Sequence, residues 1–135
     1  MNTKAIAKSF YALFGTLLLV AGGGVLLLRT GLLPEAIRNV ILNVGHGDLN
    51  AVHILQEFSA LLVFAGLMTF WAIRHYEQSK PFHWAMTTFW GLLALIHWAD
   101  ARGPYESAAG PLINTIPFIL FVLVGLFRHN AEKRV

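Results

Sequence analysis

His53 and Glu57 stand one helical turn apart in a stretch of chain that otherwise carries almost no charge. Positions 50, 53 and 57 are separated by three and four residues, so Asn50 shares a helical face with this pair. An imidazole beside a carboxylate can take up and release a proton near neutral pH, as general acid–base catalysis requires. The spacing therefore predicts a site that handles a proton, with Glu57 and His53 as its catalytic residues.

A second polar group lies further along the chain. His97 and Asp100 have the i, i+3 spacing of neighbours on one helical face, and we expect them to form a second acid–base or orienting pair. In a pocket, Arg102 would bind an anionic head group; alternatively, it pairs with Asp100 or Glu106. Asn114 in the last apolar stretch would anchor a polar group of a ligand. For Asp100, a solvated helix end is an equally simple interpretation.

Aromatic side chains follow the same helical stripes one or two turns deeper. A polar mouth above an aromatic floor is typical of a site for a hydrophobic or amphipathic small molecule. The expected ligand-binding residues are Asn50, Asn114, Trp90, Trp98, Phe64, Phe121 and Arg102. The residues leave open whether such a molecule is transformed or only bound. Alternatively, Glu57 is structural and bonds to a neighbouring helix through Asn114 or His97.

The composition indicates which elements position these residues. Hydrophobic residues make up 56% of the 135 residues and charged residues only 13%, against about 45–50% and about 25% in ordinary soluble proteins. These values exclude a soluble globular enzyme and a disordered chain. Four long apolar runs predict an all-α fold, an integral membrane four-helix up-down bundle that forms a single domain over 1–135. The expected spans are 9–29, 48–75, 82–101 and 110–128.

The connection between the first two spans has a pattern of its own. Pro34 stands where a first helical turn begins, and Ile37, Val40, Ile41 and Val44 follow with spacings of three and four. This pattern predicts a short amphipathic helix that lies in the membrane interface.

The lysines and arginines predict the orientation. Seven of the ten lie on one side of the expected bundle and three on the other; the seven are Lys4, Lys8, Arg74, Lys80, Arg128, Lys133 and Arg134. The positive-inside rule then puts both termini in the cytoplasm. The first apolar run is longer than the core of a secretory signal, so we expect it to be retained as a span of a cell inner-membrane protein.

Partners and cofactors follow from the residue types. Zero cysteines exclude thiol redox chemistry and thiolate metal sites. We expect no metal and no cofactor, because the Glu-x-x-His repeat of di-iron bundles is missing. Haem between His53 and His97, or a metal on the His and carboxylate groups, stays as an alternative. The expected partners are the bilayer and a hydrophobic small molecule, with a homo-oligomer or a larger membrane complex, but no nucleic acid. In the main alternative, the chain is a non-catalytic accessory subunit of such a complex.

Two families resemble parts of this sequence. The four-span layout, Gly22-Gly23-Gly24, Leu33-Pro34 and Asp100-Ala101-Arg102-Gly103-Pro104 resemble the DoxX-like superfamily of small membrane proteins. That resemblance covers most of the chain and implies the fold. His53-x3-Glu57 is similar to the His and Glu pair of the emopamil-binding, sterol-isomerase-like membrane proteins. In that family the pair moves a proton on a sterol, which implies proton-transfer chemistry for His53 and Glu57.

Overall fold

The computed structural model describes residues 3–30, 32–44, 49–100 and 109–132. These residues form five α-helices and two short 3₁₀ turns. The helices are α1 (Thr3–Leu26), α2 (Glu35–Val44), α3 (Leu49–Arg74), α4 (Lys80–Asp100) and α5 (Ala109–Glu132), and the 3₁₀ turns are Leu27–Arg29 and Glu77–Ser79. No strand occurs within the described ranges, so the predicted all-α class is confirmed for them.

Local chemistry accounts for the end of α1 and the start of α2. The Thr30 backbone N–H and hydroxyl both donate to the Leu27 carbonyl, at 3.1 and 2.8 Å, and the Thr30 hydroxyl accepts from the Leu32 backbone N–H at 3.3 Å. Pro34 has no backbone N–H to lose at a helix start, and its carbonyl accepts from Ile37 and Arg38. The α2 helix therefore begins where the sequence pattern predicts.

Two compact units make up the chain, Phe10–Arg74 and Met1–Ser9 with His75–Val135. In the first unit, α1 and α3 pack closely through small residues. A Cβ added at Gly15 would collide with the Thr69 hydroxyl oxygen, and one added at Gly22 would lie 2.7 Å from the Ser59 carbonyl oxygen. Because residue numbers rise along α1 as they fall along α3, the two helices form an antiparallel pair, called here the α1/α3 pair.

In the second unit, α4 and α5 form an antiparallel hairpin, called here the α4/α5 hairpin. At one end the Trp98 indole N–H donates to the Thr115 hydroxyl at 2.9 Å. At the other end the Arg128 guanidinium donates to the Ser79 hydroxyl at 3.2 Å. Between these contacts Gly91 of α4 faces the Phe118 ring. The two helices thus run beside each other over nearly their whole length.

Three of the described helices are long and apolar enough to cross a membrane: Thr3–Leu26, His53–Arg74 and Pro111–Arg128. Within the most apolar 18-residue segment of each of these helices, only 22–33% is buried within the protein. A soluble bundle buries one apolar stripe of each helix and exposes a polar face, whereas these helices expose apolar residues in large number. The exposed surface is therefore suited to lipid.

The helices differ from the expected spans at the start of α1, at the end of α5 and in the hydropathy of α4. α5 continues to Glu132, beyond the expected end at 128. α1 begins at Thr3 rather than near Ser9, because the segment that carries Lys4 and Lys8 continues the same helix beyond the apolar run. The expected span 82–101 corresponds to α4, which is not among the three helices that meet the length and hydropathy requirement. Its His and Trp residues lower its mean hydropathy.

Candidate functional site

His53 and Glu57 contact each other on α3. The distance from His53 Nε2 to Glu57 Oε1 is 3.3 Å, and the contact spans one helical turn. The side chains are 64% and 68% exposed, so a molecule or another protein surface can reach both of them. An imidazole–carboxylate pair held at this distance can share a proton and can offer that proton to a bound molecule.

His97 lies half-buried in the last turns of α4. Its Nδ1 is 2.8 Å from the Leu93 carbonyl oxygen one turn earlier. A carbonyl can only accept, so Nδ1 carries the proton in this contact, and Nε2 of the neutral ring remains an acceptor. The backbone of α4 thereby fixes the tautomer that a general base at Nε2 requires.

Polar side chains of the α4/α5 hairpin lie near that end of α4. Asn114 is buried, and Thr115 beside it accepts the indole hydrogen of Trp98 and donates its own to the Pro111 carbonyl at 2.8 Å. Burying an amide costs free energy unless it is hydrogen-bonded. The buried Asn114 and the hydrogen-bonded Thr115 and Trp98 together make this end of the hairpin polar.

The aromatic residues expected to form a floor divide into two groups. Trp90 and Phe121 are buried in the α4/α5 hairpin, whereas Trp98 is exposed at its end. Phe64 lies on the outer surface of α3 with 60% of its area exposed. Phe64 therefore shares the exposed face of the His53–Glu57 pair, and it is free to contact lipid or a partner.

Several expected site residues lie outside what the structure describes. Asn50 and Asp100 lie in helices, but their side chains are not described. Arg102 lies in the stretch 101–108, which the structure does not describe. Their predicted roles stay predictions. Among the described residues, no three His, Cys, Asp or Glu side chains come together in a geometry suited to a metal ion.

A buried polar cluster that sequence reasoning missed lies at the opposite end of the α4/α5 hairpin. Arg128 is only 5% exposed, and its guanidinium donates to the Tyr76 carbonyl at 2.6 Å and to the Ser79 hydroxyl. The guanidinium carbon also lies 4.2 Å from the centre of the Tyr76 ring, a cation–π distance. Arg128 thus fastens the end of α5 to the turn that begins α4.

His83 extends the same cluster into the hairpin. It is fully buried, packs at 5.5 Å centroid distance against Phe121, and faces Gly125, where an added Cβ would lie 2.8 Å from His83 Nε2. The charge distribution predicted only a boundary position for Arg128, and no pattern in the sequence predicted that His83 is buried. The signal that could have found them is Gly125, because a glycine facing a ring position marks a close approach.

The N-terminal turn of α1 reaches the same segment. Lys4 Nζ donates to Glu77 Oε1 at 2.7 Å, and both side chains are mostly exposed. The hydrogen bond from Lys4 is the main reason that the pKa of Glu77 lies below its ordinary value of 4.5. Positive charge on Lys4, Arg128 and Lys80 lowers it further. The described charged groups at this end of the second unit, Lys4, Glu77, Lys80 and Arg128, thus sum to a net positive charge.

Comparison with protein-family models, curated proteins and solved structures found no match to this chain.

Proposed function

We propose that the protein is an integral membrane protein that binds a hydrophobic or amphipathic small molecule from the bilayer and exchanges a proton with it at His53 and Glu57. The observation that carries this proposal is the exposed, contacting His53–Glu57 pair on a helix that is apolar enough to cross a membrane. Ionisable groups within membrane helices are costly, and they mark functional sites by default.

Four crossings, by α1, α3, α4 and α5, are supported by the α4/α5 hairpin. α5 is apolar enough to cross, and α4 lies beside it from the Trp98–Thr115 contact to the Arg128–Ser79 contact. A helix paired over its length with a spanning helix crosses the same thickness of bilayer. By the positive-inside rule, the positive charge near Glu77 supports a cytoplasmic location for that end and for both termini of an inner-membrane protein. The amphipathic α2 then lies in the outer interface.

The depth of the polar groups follows from helix geometry. At 1.5 Å per residue, Glu57 is about 26 Å along α3 from Arg74. His97 is likewise about 26 Å along α4 from Lys80. With the basic residues at the inner boundary of a hydrocarbon core about 30 Å thick, both groups lie just inside the outer boundary. A molecule that keeps its polar group at the lipid head groups and its apolar body in the chains would meet the His53–Glu57 pair at that depth.

Bound small molecules are the first test of this proposal. We expect native mass spectrometry of gently purified protein to detect a bound hydrophobic molecule on the wild type and to lose it on Glu57→Gln. Glu77→Gln makes the same chemical change on the exposed turn and serves as the matched control, so it should keep the molecule. Unchanged helix content by circular dichroism would show that Glu57→Gln still folds. Retention of the molecule by folded Glu57→Gln would contradict the proposal.

Proton exchange is tested on the same molecule. After incubation of the loaded wild-type protein in D₂O, we expect the extracted molecule to carry deuterium at a position that does not exchange in water alone. His53→Gln should bind the molecule with little or no deuterium uptake, because the imidazole that relays the proton is missing. Binding without exchange by the wild type would mean that the protein is a binding protein and not an acid–base catalyst.

The accessory-subunit alternative is favoured by a different observation. The pair and the apolar residues around it are exposed along α3, as they would be if a larger partner covered them. A stoichiometric larger protein that co-purifies in mild detergent, and that is lost when Phe64 is replaced by a charged residue, would favour this alternative over ligand binding.

A further inference from the structure

Positive charge is concentrated at the end of the second unit where α1 and α4 begin and α5 ends. Lys4 Nζ and the Arg128 guanidinium carbon both lie over the Tyr76 ring, 5.3 and 4.2 Å from its centre. Arg128 also donates to the Ser79 hydroxyl, and Lys80 follows Ser79 directly in the chain. The fold thus brings three cations from three helices to one place, called here the basic end: Lys4, Lys80 and Arg128.

Little negative charge balances these cations. Among the side chains described at the basic end, Glu77 is the one carboxylate, and Lys4 already binds it at 2.7 Å. Arg128 donates to the Tyr76 carbonyl and the Ser79 hydroxyl, which are neutral acceptors. Like charges that are held close together repel each other, and burial of one of them strengthens the repulsion. The basic end is therefore complementary to an anion from outside the chain.

An exposed tryptophan beside the basic end indicates what kind of anion fits. Trp84 is 49% exposed and lies one helical turn after the exposed Lys80, so that the ammonium group and the indole ring share one face of α4. Tryptophan is enriched at the level of the lipid head groups. Because α4 is paired with a helix that is apolar enough to cross a membrane, the basic end belongs at that level too. Anionic head groups attract basic residues there.

We propose that the basic end binds the head group of an anionic phospholipid, with Lys80 and Lys4 as its exposed cationic contacts and Trp84 beside the upper part of the acyl chains. Arg128 is buried and adds positive potential to this surface. The proposal goes beyond the proposed function, because it involves none of the residues that exchange a proton. It rests only on the membrane-spanning placement of α4 and α5.

Quenching of tryptophan fluorescence tests this surface. In phosphatidylcholine vesicles, we expect phosphatidylglycerol with brominated acyl chains to quench the wild-type protein more strongly than phosphatidylcholine brominated in the same way. Trp84→Phe should remove most of this difference. Lys80→Gln should lower the relative affinity for phosphatidylglycerol about fivefold, the usual contribution of one basic residue near anionic lipid. Lys80→Arg should restore it, and Lys4→Gln provides a second variant should Lys80→Gln not fold.

Two further variants separate local charge from the charge of the whole chain. Arg38→Gln is the matched control: Arg38 is exposed on α2, its loss changes the net charge by the same amount, and the wild-type lipid preference should remain. Glu77→Gln should act in the opposite direction and raise the relative affinity for phosphatidylglycerol, because it removes the one carboxylate described at the basic end.

Three outcomes would overturn the proposal. Equal quenching of the wild type by the two brominated lipids would show no preference for the anionic head group. Equal effects of Lys80→Gln and Arg38→Gln would show that only net charge matters. Displacement of phosphatidylglycerol by millimolar inorganic phosphate would mean that the site takes a free anion and not a lipid. Glu57→Gln should leave the lipid preference unchanged, so this proposal and the proposed function fail separately.

Discussion

Arg128 shows how one side chain can hold together segments that are distant in sequence. Its guanidinium bonds to the Tyr76 carbonyl and the Ser79 hydroxyl and lies over the Tyr76 ring, while the whole side chain is buried. We expect Arg128→Met to lower the free energy of unfolding by about 1.5–3 kcal/mol, the usual strength of hydrogen bonds from a charged donor. Arg128→Lys should fall between, because an ammonium cannot reproduce the planar fork.

Unfolding in detergent, followed by circular dichroism, measures this loss. Arg74→Met is the control, because Arg74 is exposed at the end of α3 and its replacement should change stability by less than about 0.5 kcal/mol. Equal effects of Arg128→Met and Arg74→Met would mean that the buried contacts of Arg128 add nothing.

The Lys4–Glu77 pair predicts a pH dependence at the same end of the molecule. Because the pKa of Glu77 is lowered in the folded protein, the pair stabilises the fold above pH 4.5 and loses that contribution as the pH falls through the lowered pKa. We expect Lys4→Gln to raise the pKa of Glu77 toward 4.5, as measured by NMR titration of its carboxyl carbon in micelles. Lys8→Gln should leave that pKa unchanged. The effect on stability should be small, because both side chains are exposed.

At the residue scale, the sequence could predict contacts within one helix and not contacts between helices. His53 and Glu57 are related by one turn of α3, so their spacing alone indicates that they are neighbours. Arg128 and Ser79 meet only because α4 and α5 are antiparallel in one particular register, which no local pattern encodes. The buried cluster at that end therefore could not be predicted from the sequence, which indicates for Arg128 only a position at the membrane boundary.

At the scale of elements, we expect substitution of two adjacent glycines of α1, Gly22 and Gly23, to change stability in opposite directions. A Cβ at Gly22 would lie 2.7 Å from the Ser59 carbonyl oxygen and 3.0 Å from Val63, so α1 and α3 would have to separate. A Cβ at Gly23 would meet nothing within 4 Å. We expect Gly22→Ala to destabilise by about 1–3 kcal/mol and Gly23→Ala to stabilise by up to about 1 kcal/mol through helix propensity. Thermal unfolding of the two variants checks both signs, and destabilisation by both alike would contradict the close approach.

The elements themselves were largely predictable because each carries a strong periodic or apolar signal. The spacing from Pro34 to Val44 predicted a helix where α2 occurs, and the four apolar runs predicted the helices α1, α3, α4 and α5. α4 has a lower mean hydropathy than the other three, because it contains His83, Trp84, His97 and Trp98. α4 pairs with α5 through tertiary contacts at both ends. These contacts are the argument that α4 crosses the membrane, because its mean hydropathy is below the level expected of a membrane-spanning helix.

At the scale of the whole molecule, the number of crossings decides on which side the chain ends. Because Arg128 bonds to Ser79, the end of α5 lies beside the turn at Glu77–Ser79. We expect a single cysteine at Gln78 and one appended after Val135 to be shielded from a membrane-impermeant maleimide in intact spheroplasts, and labelled after lysis. Glu35→Cys on α2 should be labelled in intact spheroplasts. If α4 did not cross, the appended cysteine would be labelled without lysis while Gln78→Cys stayed shielded. That single result would separate α4 from its partner in the bilayer and remove the depth argument that brings His97 near the outer boundary.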